Sequence, residues 1–305
     1  MKGKFRQVGL DRICRLLGVT RQSYYQYHWR SQTRGLEQEL VLKQVHHIRK
    51  NHRHMGGRKL YGLLSPFMLE HRIKMGRDAL FDLLSAHFLL VNKKRKQVRT
   101  THSFHWLRKY PNLIKTLVPT GINQLWVSDI TYWKIEAGFV YISFITDAYS
   151  RKVVGYHVAQ TMEAVETTEA LKMALKEIKL IPSNLIHHSD RGLQYCSGVY
   201  VNLLQDKGIH ISMTENGDPL ENAIAERLNG ILKGEYLEDL SVKNIDEAKA
   251  ALSKSVWLYN QERPHLSIGM LTPQTVHIQN IATKKLWKNY FIPRPKDPQP
   301  VEKVF

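Results

Sequence analysis

The chain has 305 residues, 43% of them apolar, and carries 45 Lys and Arg against 27 Asp and Glu, for a formal charge of +18 and an isoelectric point near 9.8. That apolar share builds an ordinary globular core and argues against disorder, whereas the cation surplus calls for a polyanionic partner, nucleic acid or an acidic membrane surface. No run of about 18 or more apolar residues exists to span a bilayer, and Met1-Lys2-Gly3-Lys4 is not followed by the apolar segment of a signal peptide, so a soluble protein is expected. Cys14 and Cys196 stand too far apart for a metal knuckle or a disulfide framework, so two free thiols in a cytoplasmic protein are expected.

Residues 10–29 (LDRICRLLGVTRQSYYQYHW) set Leu10, Ile13, Leu16 and Leu17 on one helical stripe, turn at Gly18, and offer Thr20 to cap a second helix that starts at Arg21. Segment 1–35 fits a helix-turn-helix reading DNA through a residue such as Arg21, and fits a plain helical hairpin about as well. Segment 36–92 reads as a further helical region, with Val41, Val45 and Ile48 on one face and the basic stretch Arg49–Lys59 broken at Gly56 and Gly57. Segment 93–118 is a basic linker. It opens KKRKQVR, so Lys93, Lys94, Arg95 and Lys96 are candidate phosphate contacts, and Phe104, Trp106 and Tyr110 follow as rings able to stack on nucleic acid. Most such charge runs are merely solvated loops.

From about residue 122 the pattern changes to short β-rich runs. Gln124–Trp133, Phe139–Asp147 and Lys152–Val158 predict three strands of an antiparallel meander. A helix over 163–179, a strand over Asn184–Ser189, a helix over Val199–Asp206, a strand over Ile209–Met213 and a last helix over Leu220–Tyr236 complete a mixed α/β unit, placed at 119–280 with a C-terminal tail at 281–305.

Three carboxylates fall at comparable places in this pattern: Asp129 inside the first strand, Asp190 just after the fourth, Glu226 inside the last helix. Asp129 sits among Leu125, Trp126, Val127 and Ile130, where an ionised carboxyl is costly without a compensating cation or donor; a structural Asp paired with Arg or backbone amides explains it too. In the last helix Leu220, Ile224, Leu228, Ile231 and Leu232 make a buried stripe, and Asn222, Glu226, Asn229 and Lys233 make a separate polar one. A polar stripe is usually only solvated, but its coincidence with two further acids and a large positive charge points to phosphodiester chemistry. Three carboxylates without clustered Cys or His ligands suit hard Mg²⁺, or Mn²⁺ in its place, rather than zinc, and two such ions make a phosphoryl-transfer site. His187 and His188, just before Asp190, either order such a site or simply pack.

WVSDITYW (126–133), HHSDRGLQYCS (187–197) and ENAIAERLNGILKGEY (221–236) resemble the catalytic blocks of DDE transposases related to retroviral integrases, and 35 residues separate Asp190 from Glu226, the spacing of the integrase-like group. Together with YNQERPHLSIGMLTP (259–273), these blocks are most similar to the second-reading-frame products of bacterial insertion sequences of the insertion sequence three family. The resemblance covers roughly 10–278, with RICRLLGVTRQSYY and GGRKLY only loosely like the family's DNA-binding helices. It implies a ribonuclease H-like catalytic core preceded by an all-α DNA-binding region, and an enzyme that frees a 3′ strand at the element's ends and joins it to another phosphodiester. It also implies that Asp129 bridges two metal ions completed by Asp190 and Glu226, that Asn222, Asn229 and Lys233 face DNA, and that Asp147 is structural. The partners it implies are double-stranded DNA, as terminal inverted repeats and target, a second copy of the chain in an oligomer on DNA, and an upstream-frame DNA-binding protein as partner or fusion. The place of action would be the cytoplasm, at the nucleoid when DNA is bound. The rivals are a non-catalytic DNA-binding remnant and a nuclease that hydrolyses without joining.

Overall fold

The computed structural model describes residues 9–91, 106–215 and 222–282. Helix α1 (Leu10–Leu16) stops at Gly18, whose φ of +66° suits a residue without Cβ. Thr20 then caps α2 (Arg21–Asn51), its hydroxyl accepting from the Ser23 N–H at 3.0 Å. Helix α2 is 31 residues long and runs unbroken across residues 35 and 36, where a division between two segments was expected. No proline interrupts it, and a single Gly35 costs only about 1 kcal/mol relative to alanine. The helix-turn-helix candidate and the region after it therefore share one helix.

His52 ends α2, and α3 (Gly57–Glu70) and α4 (Arg77–Ala86) fold back onto it. Val41 and Val45 of α2 meet Leu60, Leu64 and Met68 of α3 and Leu80 and Leu84 of α4 in a core of their own. The N-terminal half of α2 contributes nothing to it, and Tyr25, Tyr27 and Trp29 are exposed. Residues 93–105, with Lys93, Lys94, Arg95 and Lys96 of the basic linker, lie outside the described residues.

Strands β1 (Leu125–Ile135), β2 (Gly138–Asp147) and β3 (Val153–Ala159) form the antiparallel meander. Then come α5 (Ala164–Glu177), β4 (Ile186–Ser189), the short α6 (Leu193–Cys196), α7 (Gly198–Asp206), β5 (His210–Met213) and α8 (Ala223–Leu232). The sheet order is β3-β2-β1-β4-β5, with β4 parallel to β1 and β5 parallel to β4. That order and polarity make the ribonuclease H-like core expected of the α/β unit, with strand ends within two residues of those predicted.

Alternation of side chains across the pleat divides two cores. On one face Trp126, Ile145 and Val154 pack on α5 and α7 through Leu171, Ala174, Tyr200 and Leu204. Gly155 makes this fit possible, because a Cβ there would stand 2.1 Å from the Ala170 carbonyl oxygen. On the other face Trp133, Ile142, Phe144 and Val158 pack on Leu228, Leu232, Leu252 and Val256.

The last two residues belong to α9 (Ile245–Gln261), which with α10 (Pro273–Gln279) follows the last predicted element and was not foreseen as helix. The signal was present: Asn244 accepts from the Glu247 N–H and the Glu247 carboxylate reaches back to the Lys243 N–H, a reciprocal N-terminal cap. Helix α8 also ends earlier than expected, giving way to a π turn over Lys233–Leu237. Among the described residues no helix is long and apolar enough to cross a membrane.

Candidate active site

Strand β1 is the central strand, paired with β2 over most of its length but with β4 only through Leu125, Trp126 and Val127. Residues from Ser128 onward thus project past the end of β4, and Asp129 stands at the point of divergence. Asp190 follows β4 directly, so the parallel pairing brings the two carboxylates to one end of the sheet, where both line a cavity of about 590 Å³. Asp190 is held by its own turn: the Gly192 N–H donates to its Oδ1 at 2.9 Å, and a Cβ on Gly192 would lie 3.0 Å from that oxygen.

Helix α8 supplies the third carboxylate and is pinned to β1 by two asparagines. The Asn222 amide donates to the Ser128 carbonyl at 2.9 Å, and the Asn229 amide donates to Asp129 Oδ2 at 2.8 Å. Expected to face DNA, both are instead buried, at 6% and 8% exposure. At about 100° per residue, Asn222 and Asn229 border the buried stripe and Glu226 lies roughly 60° beyond Asn229, so Glu226 is exposed while its neighbours along the stripe are covered.

Burial drives the Asp129 carboxyl up to about 8, and Asp190 and Glu226 push it the same way, against the pull of the Ile130 N–H and the Asn229 amide. Asp129 therefore feels Asp190 and Glu226 as like charges. The three acids are not drawn to ligand distance: among the described residues no three His, Cys, Asp or Glu side chains are gathered closely enough to hold one ion. The donor set is of the kind that a hard divalent cation takes: carboxylate oxygens from Asp129, Asp190 and Glu226.

The other candidates divide. Lys233, the first residue of the π turn, lays its ammonium 4.3 Å from the centre of the Tyr132 ring, on a wall of the same cavity, and burial lowers its pKa. Arg21, at the exposed start of α2, has no part in this site. His187 and His188 prove to be packing residues. His187 Nε2 shares the Ser128 and Tyr200 hydroxyls at 2.9 Å each, and burial with His188 beside it pushes its pKa down to about 3; His188 Nδ1 meets the Ser212 hydroxyl at 2.8 Å. Asp147, fully buried, accepts from the Asn123 and Ser150 N–H groups and the Ser150 hydroxyl, all at 2.7 Å, and is structural.

A second polar cluster, not singled out from sequence, lies where the π turn meets α3 and the end of α9. Arg263, 1% exposed, donates from Nε and a terminal nitrogen to the two oxygens of Glu235 at 2.7 Å each, and from its other nitrogen to His265 Nε2 at 2.7 Å. Lys59 of α3 approaches Glu235 at 3.5 Å. Burial would raise the Glu235 pKa, but the hydrogen bonds and charge of Arg263, then Lys59, hold it below the ordinary value. Burial and the nearby Arg263 push Lys59 down to about 8 in spite of Glu235. Beside them His52 bridges Tyr236 at 2.9 Å and Glu262 at 3.1 Å, and His54 meets Asp239. GGRKLY and YNQERPH, separate blocks in the sequence, are thus two halves of one contact.

A five-stranded mixed sheet with one acid within its central strand, one just after the next parallel strand and one on the helix packed against the central strand is the arrangement of the DDE polynucleotidyl transferases. Integrase core domain families match residues 119–219 and 207–273. The chain is 36% identical over 268 residues to the uncharacterized 31 kDa protein of insertion element IS600 of Shigella sonnei, covering 86% of this chain and 96% of that protein. It is 31% identical to the transposase for insertion sequence element IS629 of Shigella sonnei, covering 88% and 90%, and 32% identical to transposase InsF for insertion sequence IS3fB of Escherichia coli K12, covering 64% and 68%. The catalytic core domain of bovine immunodeficiency virus integrase superposes with a TM-score of 0.42 at 22% identity, over 52% of this chain and 95% of that one. The chain belongs to the insertion-sequence transposases of the DDE type, enzymes of DNA transposition and integration.

Proposed function

We propose that Asp129, Asp190 and Glu226 are the catalytic carboxylates, that they hold two Mg²⁺ ions, with Mn²⁺ able to substitute, and that the enzyme cleaves and transfers strands at the terminal inverted repeats of its own element. The observation carrying this reading is the electrostatic frustration of Asp129: a carboxyl on the central strand, held by two donors yet pushed up to about 8 by burial, Asp190 and Glu226. Bound there, divalent ions supply Lewis acidity to a scissile phosphate and its nucleophile. Asn229 orients the Asp129 carboxylate, Asn222 fixes α8 against β1, and the Gly192 turn aims Asp190. Lys233 is placed for a phosphate near the carboxylates, and Lys93, Lys94, Arg95, Lys96 and Arg21 are assigned to DNA outside the site.

In this reading residues 1–92 form the DNA-binding part, with α2 spanning its two expected segments; 93–118 is a basic linker, 119–280 the catalytic core and 281–305 a tail. The enzyme works on double-stranded DNA in the cytoplasm as an oligomer, alone or with an upstream-frame DNA-binding protein. The test is cleavage and joining of a duplex carrying the element's ends, in Mg²⁺. Asp129→Asn, Asp190→Asn and Glu226→Gln each abolish both reactions while DNA binding persists, because the amide keeps shape and loses ligand charge. Strand transfer retained by any one of them would falsify that residue's assignment.

A further inference from the structure

The cavity that Asp129 and Asp190 border is larger and less polar than a phosphodiester requires. The β1–β2 hairpin runs on past the end of β4, and there it builds an aromatic wall. Tyr132 and Tyr141 are direct cross-strand partners, and Phe139 meets Tyr132 edge to face with ring centres 5.8 Å apart. Met162, after β3, and Leu193, after Asp190, also line it, and the Gln194 amide ties these two segments together by donating to the Met162 carbonyl at 2.8 Å. Phe139, Met162 and Leu193 are 54%, 46% and 49% exposed, so the fold itself leaves the mouth uncovered. Its volume of about 590 Å³ is within the range of small-ligand sites.

We propose that this cavity seats one unpaired nucleobase of the substrate DNA, next to the bond that is cut; the inference rests on the carboxylate assignment above for its choice of substrate. The chemistry separates the two halves of a nucleotide. A phosphate gains little from a wall made chiefly of rings and apolar side chains beside two acids, whereas a base has flat apolar faces that stack on those rings. Lys233, lying over Tyr132 at 4.3 Å, puts a cation at the rim, where the phosphate of that same nucleotide would lie. A base inside a duplex cannot reach the rings, so it must leave the stack, and a base at a frayed end does so at least cost. The cavity therefore favours a DNA end that is partly opened over one that is fully paired. Phe139 is the stacking residue most open to it, and Tyr141 backs the wall.

Stacking is sequence-tolerant, so a generic duplex serves as probe. Binding is measured in EDTA with the full chain, using one duplex that is fully paired and one with a two-nucleotide frayed end carrying 2-aminopurine. Wild type binds the frayed duplex more tightly and changes the 2-aminopurine fluorescence. Phe139→Ala and Phe139→Leu both lose that preference by roughly fivefold or more, and Phe139→Tyr keeps it. The leucine variant separates stacking from mere apolar volume, and the position at an exposed hairpin end spares the fold, which melting curves verify. Variants that bind both duplexes as wild type does, or weaken on both equally, overturn the base seat. Asp129→Asn retains the preference while losing cleavage. If it still cleaves, the carboxylate assignment fails and the base seat stands; if it does not cleave but Phe139→Leu keeps the preference, the base seat alone fails.

Discussion

Two clusters of charged side chains lie on either side of α8, and they are built on opposite terms. At one end the Asp129 carboxyl is raised by burial and by the charges of Asp190 and Glu226, with only two neutral donors, the Ile130 N–H and the Asn229 amide, pulling against them. At the other end Glu235 is matched by Arg263 through two hydrogen bonds and by Lys59. A buried charge with its partner present stabilises specificity of packing, and removing one partner exposes the full desolvation cost. A buried carboxyl raised by burial and by like-charged neighbours is one whose charged form a bound cation would favour. The difference teaches which cluster holds the protein together and which one works on something else.

The strongest way to break the comparison is to cut one partner from each side. Arg263→Met should destabilise the fold by roughly 3–5 kcal/mol, since Glu235 stays buried with only the more distant Lys59 as partner, and adding Glu235→Met should recover much of that loss. Asp129→Asn, in EDTA at neutral pH, should stay within about 1 kcal/mol of wild type, because the carboxyl it replaces already holds its proton. Denaturant unfolding of the variants measures both; equal losses would erase the distinction.

A divalent cation should act on one cluster only. At about 100 times its Kd, Mn²⁺ should stabilise the wild type by roughly 2.7 kcal/mol through mass action, seen as a higher melting temperature. Asp190→Asn should lose most of that shift, and Arg263→Met should keep it. A shift that survives in Asp190→Asn would mean that the ions bind elsewhere.

Acid should act on the other cluster. The Glu235 carboxyl is depressed below its ordinary value of 4.5, so its stabilisation is complete above that value and disappears as pH falls through the lower folded-state value. Wild type should lose stability over that range, and Glu235→Gln should show a flatter acid limb. A smaller effect is expected at the linker. Replacing Lys93, Lys94, Arg95 and Lys96 with Gln should shallow the salt dependence of DNA binding, as fewer counterions are released; slopes of log affinity against log salt decide it.

Much of the catalytic core was legible because its signals are local. Short apolar, β-rich runs between turn residues marked β1 to β3, and the three carboxylates could be placed on elements before any contact was known. What was not legible depends on rotation and on distance. Asn222, Asn229 and Glu226 share one stripe in sequence, and only the seating of α8 on β1 decides that the asparagines turn inward and Glu226 stays out. The Lys59–Glu235–Arg263 contact joins residues more than 170 positions apart from Lys59, and no periodicity reports that. Helix α2 was divided in two because its apolar residues change face: Val41 and Val45 meet a core, whereas Tyr25 and Trp29 do not.

That same helix gives the molecule a lever. At 1.5 Å per residue its 31 residues span about 46 Å, with Arg21 at the far tip and His52 at the fulcrum, fastened to Tyr236 a few residues past the end of α8. A rotation of about 5° at His52 sweeps the tip through roughly 4 Å, more than half a turn of α-helix.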